Sequence, residues 1–246
     1  MKNVVITSYS RTPIGSFGGN LSTISATKLG AHSIKEAIKK SKIEPSQVQE
    51  VFMGNVISTG LGQAPARQAA IFAGLDKSTP CTTINKVCAS GMKSIMIGAQ
   101  SIISGDNEII VAGGMENMSQ APYMLRKARN GFRMGHGNME DLMVADGLWD
   151  VYNDFHMGNT AELVSQEYGI TREEQDAYAL ASQKKANQAQ KDGKFLKEIV
   201  GVEVKNRKNS FVFNTDEGIR HDASLEGFAK LRPAFVKEGG SVTAGN

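Results

Sequence analysis

The sequence has 246 residues, of which 40% are hydrophobic and 22% are charged, and its formal net charge is +3. This composition is that of a globular protein with one large or two smaller domains, and it excludes collagen-like, coiled-coil and disordered chains. No apolar run approaches the about 20 residues that cross a bilayer, so no membrane partner is expected. Basic residues are interspersed with acidic ones, so no nucleic-acid partner is expected. The N-terminus lacks the apolar stretch of a signal peptide, which predicts a cytoplasmic protein.

The first half of the sequence alternates short apolar runs with helical patterns. Strands are predicted at residues 3–7, 51–56, 81–84 and 109–112, the last as a strand inside a sheet that is covered on both faces. Helices are predicted after Ser25, which can cap a helix start, and at residues 66–73, ending at Gly74. A third helix is predicted from Ser90 to Gly105, since glycine suits a helix end. Its apolar residues recur at helical spacing: Met92, Ile95, Ala99, Ile102 and Ile103. This alternation predicts a layered α/β domain.

The second half has a different character. Residues 115–154 show little periodicity. Thr171 and Glu174 form a capping box, which predicts a helix that ends at Gly193. Residues 200–204 and 211–213 alternate like a hairpin around residues 206–209. This half is therefore predicted to be a mixed α+β insertion.

Two cysteines, Cys81 and Cys88, are too few for a disulfide framework, and their spacing does not form a zinc site. Cys88 lies between a predicted strand and the start of a predicted helix, where free N–H groups and the helix dipole favour a thiolate. Its small neighbours leave room for a substrate. From position alone, Cys88 is either a nucleophile or a buried packing residue, whereas Cys81 inside an apolar strand is predicted to belong to the core.

The segment around Cys88, residues 85–91 (Asn-Lys-Val-Cys-Ala-Ser-Gly), resembles the acyl-accepting cysteine motif of the thiolase family. Further stretches match in family order: residues 10–15, 112–119, 155–162, 230–235 and 242–246. Residues 155–158 (Phe-His-Met-Gly) favour the biosynthetic short-chain branch, the acetyl-CoA acetyltransferases. The resemblance implies a layered α/β N-terminal domain at residues 1–118 and an inserted α+β loop domain that binds coenzyme A at residues 119–246.

The resemblance also implies a reaction. Cys88 would take the acetyl group of acetyl-CoA, and a second acetyl-CoA would attack the acetyl-cysteine to give acetoacetyl-CoA, with coenzyme A as substrate and product and with no metal or other cofactor. A negatively charged thioester oxygen forms in both halves, and the backbone N–H of Cys88 is the donor that this chain can supply. His156 and Met157 would line the pantetheine channel, Arg220 would lie near the adenine and phosphates, and Ser224 would make a small polar contact, which Gly227 puts in doubt.

Two expected motifs do not occur in this sequence: the Gly-His-Pro histidine and the Cys-x-Gly cysteine that transfer protons in the family. Both belong to a C-terminal repeat domain, so the chain is expected to be about the first three-fifths of an enzyme, without the last strand of its first domain and with negligible activity alone. The missing half could be a separate chain, and the resemblance implies a homotetramer and a role in fatty acid metabolism. The alternatives are a ketoacyl synthase that uses a carrier protein, a non-catalytic acyl-CoA-binding module and, more remotely, a cysteine hydrolase.

Overall fold

A computed structural model describes residues 3–205 and 209–246. The chain divides into two units: Met1–Gly147 with Lys197–Glu217, and Leu148–Leu196 with Gly218–Asn246. This division differs from the predicted boundary at residues 118 and 119, which stays a prediction about the domain organisation of the family.

The first unit contains most of the regular structure. Its helices and strands, in chain order, are α1 (Ala26–Ser41), β1 (Glu50–Gly54), α2 (Pro65–Ala73), β2 (Cys81–Ile84), α3 (Ser90–Ser104), β3 (Ile110–Gly114), β4 (Tyr123–Met124), β5 (Glu140–Asp141), α4 (Leu142–Gly147), β8 (Val202–Lys205) and β9 (Ser210–Phe213). The predicted caps are confirmed, since the Ser25 hydroxyl accepts from the Lys28 N–H at the start of α1, and Gly74 and Gly105 end α2 and α3 in left-handed conformations.

A three-stranded parallel sheet in the order β2-β1-β3 forms the centre of this unit. Alternate residues of a strand point to opposite faces. On one face, Val51 and Met53 are buried in a cluster with α1 and α2; on the other, Gly54 lies against the start of α3. Helices therefore cover both faces of the sheet, and the predicted layered α/β fold is confirmed.

Helix α3 packs on the sheet through its smallest residues. Ser90, Ser94 and Gly98 are its buried positions, because the strands beneath approach the helix closely. The larger apolar residues point outward, and Met92 is 69% exposed. The apolar periodicity predicted the helix correctly, yet the face that this periodicity defines is not the face that packs on the sheet.

The predicted strand at residues 3–7 is wrong. Residues 3–10 form no β-ladder with any other described residue, and Val5 and Ile6 are 73% and 76% exposed. A strand needs a hydrogen-bonded neighbour whatever its propensity; this segment is held instead by hydroxyls, with Ser8 Oγ donating to Ala37 O and Ser10 Oγ to Ser33 O of α1.

Of two further strand predictions, one needs adjustment and the other is confirmed. The fourth predicted strand begins at Ile110 rather than at residue 109, lies at an edge of the sheet and is half-buried rather than fully covered. The predicted hairpin is confirmed as the antiparallel pair β8 and β9, with Val202 opposite Phe213. Of its predicted turn, residues 206–208 lie outside the described residues.

The second unit contains β6 (Trp149–Asp150), β7 (Phe155–His156), α5 (Met157–Tyr168), α6 (Arg172–Lys191) and α7 (Leu225–Ala229). The predicted capping box opens α6, because the Thr171 hydroxyl accepts from the Glu174 N–H and the Glu174 carboxylate accepts from the Thr171 N–H. The helix ends at Lys191, two residues before the predicted Gly193. The mixed α+β character predicted for the second half is confirmed.

Two carboxylates hold the last residues of the chain to the helices of this unit. Glu162 of α5 accepts hydrogen bonds from the backbone N–H groups of Ser241 and Val242, each at 2.9 Å. Asp176 of α6 accepts from Asn246 Nδ2 at 2.7 Å and from Arg172 Nε at 2.9 Å. Since Asp176 is buried, the arginine and the amide together compensate the burial of its charge.

No helix in the described part of the chain is both long and apolar enough to cross a membrane.

A partly buried ion pair ties the N-terminal segment to the segment that follows β9. Arg11 donates to both carboxylate oxygens of Asp216, at 2.7 and 2.9 Å, and to Glu198 at 2.7 Å. The Ile14 N–H donates to the same Asp216 carboxylate at 2.8 Å. Burial opposes the ionisation of Asp216, but the hydrogen bonds from Arg11 and Ile14 outweigh it, and the pKa of Asp216 lies below its usual range.

This lowered pKa predicts a pH-dependent stability. A carboxyl whose folded pKa is below its unfolded value of about 3.9 contributes stability above that pH and loses it as the pH falls through the folded pKa. We expect Asp216→Asn to lower the free energy of unfolding by about 2 kcal/mol at neutral pH. The difference from the wild type should shrink below about pH 4. Urea unfolding followed by circular dichroism at several pH values measures it.

The matched control is Glu203→Gln on β8, whose carboxylate is exposed and accepts from Ser210 Oγ. It should have a much smaller effect at every pH. An Asp216→Asn penalty of the same size at pH 3 and pH 7 would contradict this account of the ion pair.

Candidate active site

Cys88 lies on the loop between β2 and α3, at the carboxyl end of the parallel strands, and its side chain is exposed. Loops at this end of a parallel sheet converge, so ligands commonly bind there. Cys81, by contrast, lies within β2, is half-buried against the core and donates to Thr79 O at 3.3 Å. Burial raises the pKa of the Cys81 thiol, which disfavours its thiolate. Cys88 is the more accessible of the two thiols.

Hydrogen bonds fix the loop that precedes Cys88. The Lys86 N–H donates to Ser90 Oγ at 2.8 Å, and Ser90 Oγ donates to Val87 O at 2.6 Å. The Val87 N–H donates to Asn85 Oδ1 at 2.9 Å. Val87 has a φ of 48°, a left-handed conformation that is strained for a β-branched residue. Such strain persists only where the surrounding contacts determine the conformation, and it clusters at functional sites.

The backbone N–H of Cys88 is not engaged in this network. No turn or side-chain hydrogen bond of the described residues is donated by the Cys88 N–H. Cys88 forms an isolated β-bridge with Lys86, and the helix α3 begins two residues later, at Ser90. A free N–H next to a thiol can donate to the oxygen of a carbonyl group that the thiol attacks. The arrangement is therefore suited to acyl transfer.

The start of α3 lies directly on the end of β1. A Cβ atom added to Gly54 would lie 2.5 Å from the carbonyl carbon of Ser90 and 2.6 Å from the Gly91 nitrogen. Both distances are too short for any side chain, and both neighbours are backbone atoms, which cannot move aside cheaply. Glycine at residue 54 thus allows the helix that follows Cys88 to rest on the sheet.

A polar cluster joins the ends of β1 and β3 beside this contact. Glu116 accepts from the Val56 N–H at 2.8 Å and from Asn55 Nδ2 at 2.9 Å, and Asn55 Nδ2 also donates to Met115 O. Burial raises the pKa of Glu116, although the N–H donors favour its charge. Asn55 is only 2% exposed, and its Oδ1 atom has no hydrogen-bond partner among the described residues. Sequence reasoning did not single out Asn55 or Glu116.

His156 caps α5 in the second unit. Its Nδ1 atom accepts from the Gly158 N–H at 3.0 Å, so the proton of the neutral ring lies on Nε2, which is left as a donor. The ring stacks on Phe235 with a centroid distance of 4.9 Å. A Cβ atom at Gly158 would collide with the Phe235 ring, so glycine permits this stack. Phe235 lies in a motif of the sequence, but nothing in the pattern indicated its partner.

Met157 follows His156 as the first residue of α5 and is 44% exposed. It lies at one end of an apolar groove of about 460 Å³ between α5, α6 and the last residues of the chain. The other residues lining the groove are Thr160, Ala161, Val164, Ser165, Ile170, Gln175, Val242 and Asn246. His156 and Met157 thus present a polar donor and a thioether side by side, beside an apolar groove.

Arg220 and Ser224 lie before and at the start of α7. The Arg220 N–H donates to Gln183 Oε1 at 2.9 Å, and its exposed guanidinium donates to Ala244 O at 3.3 Å. Ser224 is the N-cap of α7 and accepts from the Gly227 N–H at 3.1 Å, so its hydroxyl already has a structural partner. No hydrogen bond in the described residues joins either side chain to His156 or Met157.

The other three histidines are not part of these arrangements. His32 Nε2 lies 2.6 Å from Gly201 O, His221 Nδ1 lies 2.8 Å from Asn187 Oδ1, and His136 lies on an exposed loop. Across residues 3–205 and 209–246, no three His, Cys, Asp or Glu side chains are grouped so that they could hold a metal ion.

The sequence is similar to those of known proteins. The family described as "Thiolase, N-terminal domain" matches residues 4–246. An acetyl-CoA acetyltransferase of Cupriavidus necator is 55% identical over all of this chain and 63% of its own length, and one of Chromobacterium violaceum is 54% identical over 99% of this chain and 62% of its own. A probable acetyl-CoA acyltransferase of Staphylococcus aureus is 51% identical over 100% and 63%.

This chain thus spans a little under two thirds of the length of the curated relatives that it matches. The family match covers nearly every residue, including the loop of Cys88, the His156 cap and the last residues of the chain. The chain belongs to the thiolase family and carries its N-terminal domain.

Proposed function

We propose that Cys88 is the acyl-accepting nucleophile of an acetyl-CoA C-acetyltransferase, which reversibly condenses two molecules of acetyl-CoA to acetoacetyl-CoA and coenzyme A. The observation that carries the proposal is the exposed Cys88 thiol on a hydrogen-bonded loop next to a free N–H. The names of the relatives supply the acetyl-CoA substrate.

In the first half-reaction the Cys88 thiolate attacks the carbonyl carbon of acetyl-CoA. A carbon–sulfur bond to Cys88 forms, and the carbonyl oxygen becomes negatively charged within reach of the Cys88 N–H. When the oxygen reforms the carbonyl, the bond to the coenzyme A sulfur breaks and coenzyme A leaves as a thiolate. Division into two transfers through a covalent intermediate lowers the barrier of each.

In the second half-reaction a base removes a proton from the methyl group of another acetyl-CoA. The resulting carbanion attacks the carbonyl carbon of acetyl-Cys88, a carbon–carbon bond forms, and the Cys88 thiolate is the leaving group. The family places this base on a cysteine of a Cys-x-Gly motif, which the present sequence does not contain. We therefore assign only the nucleophile and part of the coenzyme A site to this chain.

His156 and Met157 are proposed to contact the pantetheine arm of coenzyme A. Pantetheine alternates amides with methylene groups, and a free Nε2–H beside a half-exposed thioether offers both a hydrogen bond and a soft apolar contact. Arg220 is proposed to contact the adenine or phosphates, because its guanidinium is exposed. Ser224, whose hydroxyl caps α7, is proposed to make a small polar contact with coenzyme A. The cytoplasmic location, the homotetramer, a separate C-terminal chain and a role in fatty acid metabolism stay predictions.

The nucleophile is tested by incubating the chain with radiolabelled acetyl-CoA. We expect slow labelling of the peptide that contains Cys88, no label in Cys88→Ala, and unchanged labelling in the matched control Cys81→Ala, because Cys81 is half-buried with a raised pKa. Iodoacetamide should alkylate Cys88 much faster than Cys81 for the same reason. Binding of acetyl-CoA without labelling would favour a non-catalytic module, and preferred labelling from an acetylated carrier protein would favour a ketoacyl synthase.

The isolated 246-residue chain is expected to show negligible thiolysis of acetoacetyl-CoA by free coenzyme A, because both proton-transfer motifs are absent from its sequence. The assay follows the loss of acetoacetyl-CoA absorbance during thiolysis. It uses a much higher concentration of the chain than an ordinary enzyme assay does. Robust turnover that disappears in Cys88→Ala would contradict our assignment of the bases to residues outside this sequence.

The pantetheine contact is tested with His156→Asn. Asparagine can still cap α5 by accepting from the Gly158 N–H, but it removes the stack on Phe235 and the Nε2–H donor. We expect the acetyl-CoA concentration that half-saturates Cys88 labelling to rise by about tenfold, as for the loss of a hydrogen bond and an aromatic contact. The matched control is His221→Asn, whose side chain bonds Asn187. Equal effects of the two variants would refute the contact.

A further inference from the structure

We propose that Ser90 is a positioning residue for acetyl transfer to Cys88. Its hydroxyl holds the loop of residues 86–88 so that the Cys88 N–H and thiol face the acyl donor together. This inference rests on the proposed function, because it concerns the reaction in which Cys88 takes an acetyl group.

Ser90 Oγ bonds both sides of the turn that precedes Cys88. It accepts from the Lys86 N–H at 2.8 Å and donates to Val87 O at 2.6 Å. Two backbone bonds close the same turn, from the Ala89 N–H to Lys86 O at 3.1 Å and from the Ser90 N–H to Val87 O at 3.0 Å. The hydroxyl therefore both accepts and donates inside one short loop, which only a serine or threonine side chain can do at this distance.

The loop needs this support because Val87 is strained. Its φ of 48° is a conformation that a β-branched residue rarely adopts, and its side chain is half exposed, so packing does not impose the strain. The Val87 N–H donates to Asn85 Oδ1, and the Val87 carbonyl accepts from Ser90 Oγ; these hydrogen bonds hold the conformation. Without them, Val87 would relax to negative φ and turn the peptide group that carries the Cys88 N–H.

The end of β1 fixes the position of Ser90 itself. Ser90 is only 4% exposed, and its Cβ lies 2.8 Å from the position that a Cβ on Gly54 would take. Ser90 therefore transmits the position of the rigid sheet edge to the Cys88 loop, whereas Lys86 and Val87 are exposed and could exchange their bonds for water.

The consequence is specific to acyl transfer. Attack on a thioester needs the thiol and an oxyanion donor aligned on one carbonyl group, and a displacement of about 1 Å can cost 100-fold in rate. Alkylation by iodoacetamide needs only an exposed thiol. Loss of the Ser90 hydroxyl should therefore slow acetylation and leave alkylation nearly unchanged, a separation that general destabilisation does not produce.

The experiment compares Ser90→Ala with the matched control Ser94→Ala in the full 246-residue chain. Ser94 is buried in the same helix and has one hydroxyl bond, to Ser90 O. Each variant is treated with S-acetyl-N-acetylcysteamine, a thioester without the adenosine part, and separately with iodoacetamide. Mass spectrometry of the Cys88 peptide gives both rates, and circular dichroism checks the fold.

We expect acetylation in Ser90→Ala to be about tenfold slower than in the wild type, while its alkylation by iodoacetamide is nearly unchanged. The acetylation rate of Ser94→Ala should be close to that of the wild type. A second variant, Asn85→Ala, removes the acceptor of the Val87 N–H at an exposed position, together with a long 3.4 Å bond to Val56 O, so we expect a smaller effect on folding. It should slow acetylation in the same direction. In Val87→Asn combined with Ser90→Ala, part of the rate should return, because asparagine tolerates the left-handed conformation.

The inference is overturned if Ser90→Ala acetylates as fast as Ser94→Ala, if both reactions slow equally, or if Val87→Asn restores nothing. Failure of the proposed function gives a different result: the wild-type Cys88 is alkylated by iodoacetamide but takes no acetyl group from the thioester or from acetyl-CoA.

Discussion

The close approach of α3 to the end of β1 is the contact on which the Cys88 site depends. Gly54 leaves no side chain between the strand and the backbone of residues 90 and 91. Because this contact joins backbone to backbone, it fixes the start of the helix more firmly than a contact between side chains, which can change rotamer. Ser90, buried at this contact, extends the same rigidity to the loop before Cys88. The exposed thiol is thus held by buried atoms.

In the second unit, one side chain, that of His156, makes several structural contacts at once. His156 ends a short β-ladder, caps α5 and stacks on Phe235. Its Nδ1 atom is used by the cap, so the ring orientation and the tautomer are both fixed and Nε2 is free to donate. A side chain that also supports the backbone loses little conformational entropy when it binds a ligand, because most of that entropy was already lost on folding.

The sequence predicted those features that depend on residues close together in the chain, such as helix caps. Ser25, Thr171 and Gly105 act as the caps that their types suggest, and the loop position of Cys88 followed from its place between a strand pattern and a helix pattern. The strand at residues 3–7 failed because pairing depends on a distant partner. Periodicity could not say which face of α3 packs, since the sheet selects small residues at the contact rather than large apolar ones.

Only those residues of the candidate site that lie in sequence motifs were predicted. Cys88 and His156 lie in matched stretches, but the support from Ser90, Gly54 and Phe235 depends on distances that no spacing in the sequence encodes. Asn55 and Glu116 lie 61 residues apart and meet only because β1 and β3 are neighbours in a parallel sheet. Side chains that position a nucleophile are therefore harder to read from a sequence than the nucleophile, because their role is a matter of geometry rather than of residue type.

The placement of the titratable groups limits what Cys88 can do by itself. The hydrogen bonds of the described residues include none between Cys88 and a histidine or carboxylate, and three of the four histidines are bonded elsewhere. A thiol without a neighbouring base reacts only through the fraction that is ionised at the pH of the solution. The loop geometry can align that thiolate with a carbonyl group, but it cannot create it. In this chain the alignment of the proposed nucleophile and the supply of its charge are therefore separate problems, and our proposal for Ser90 concerns the first.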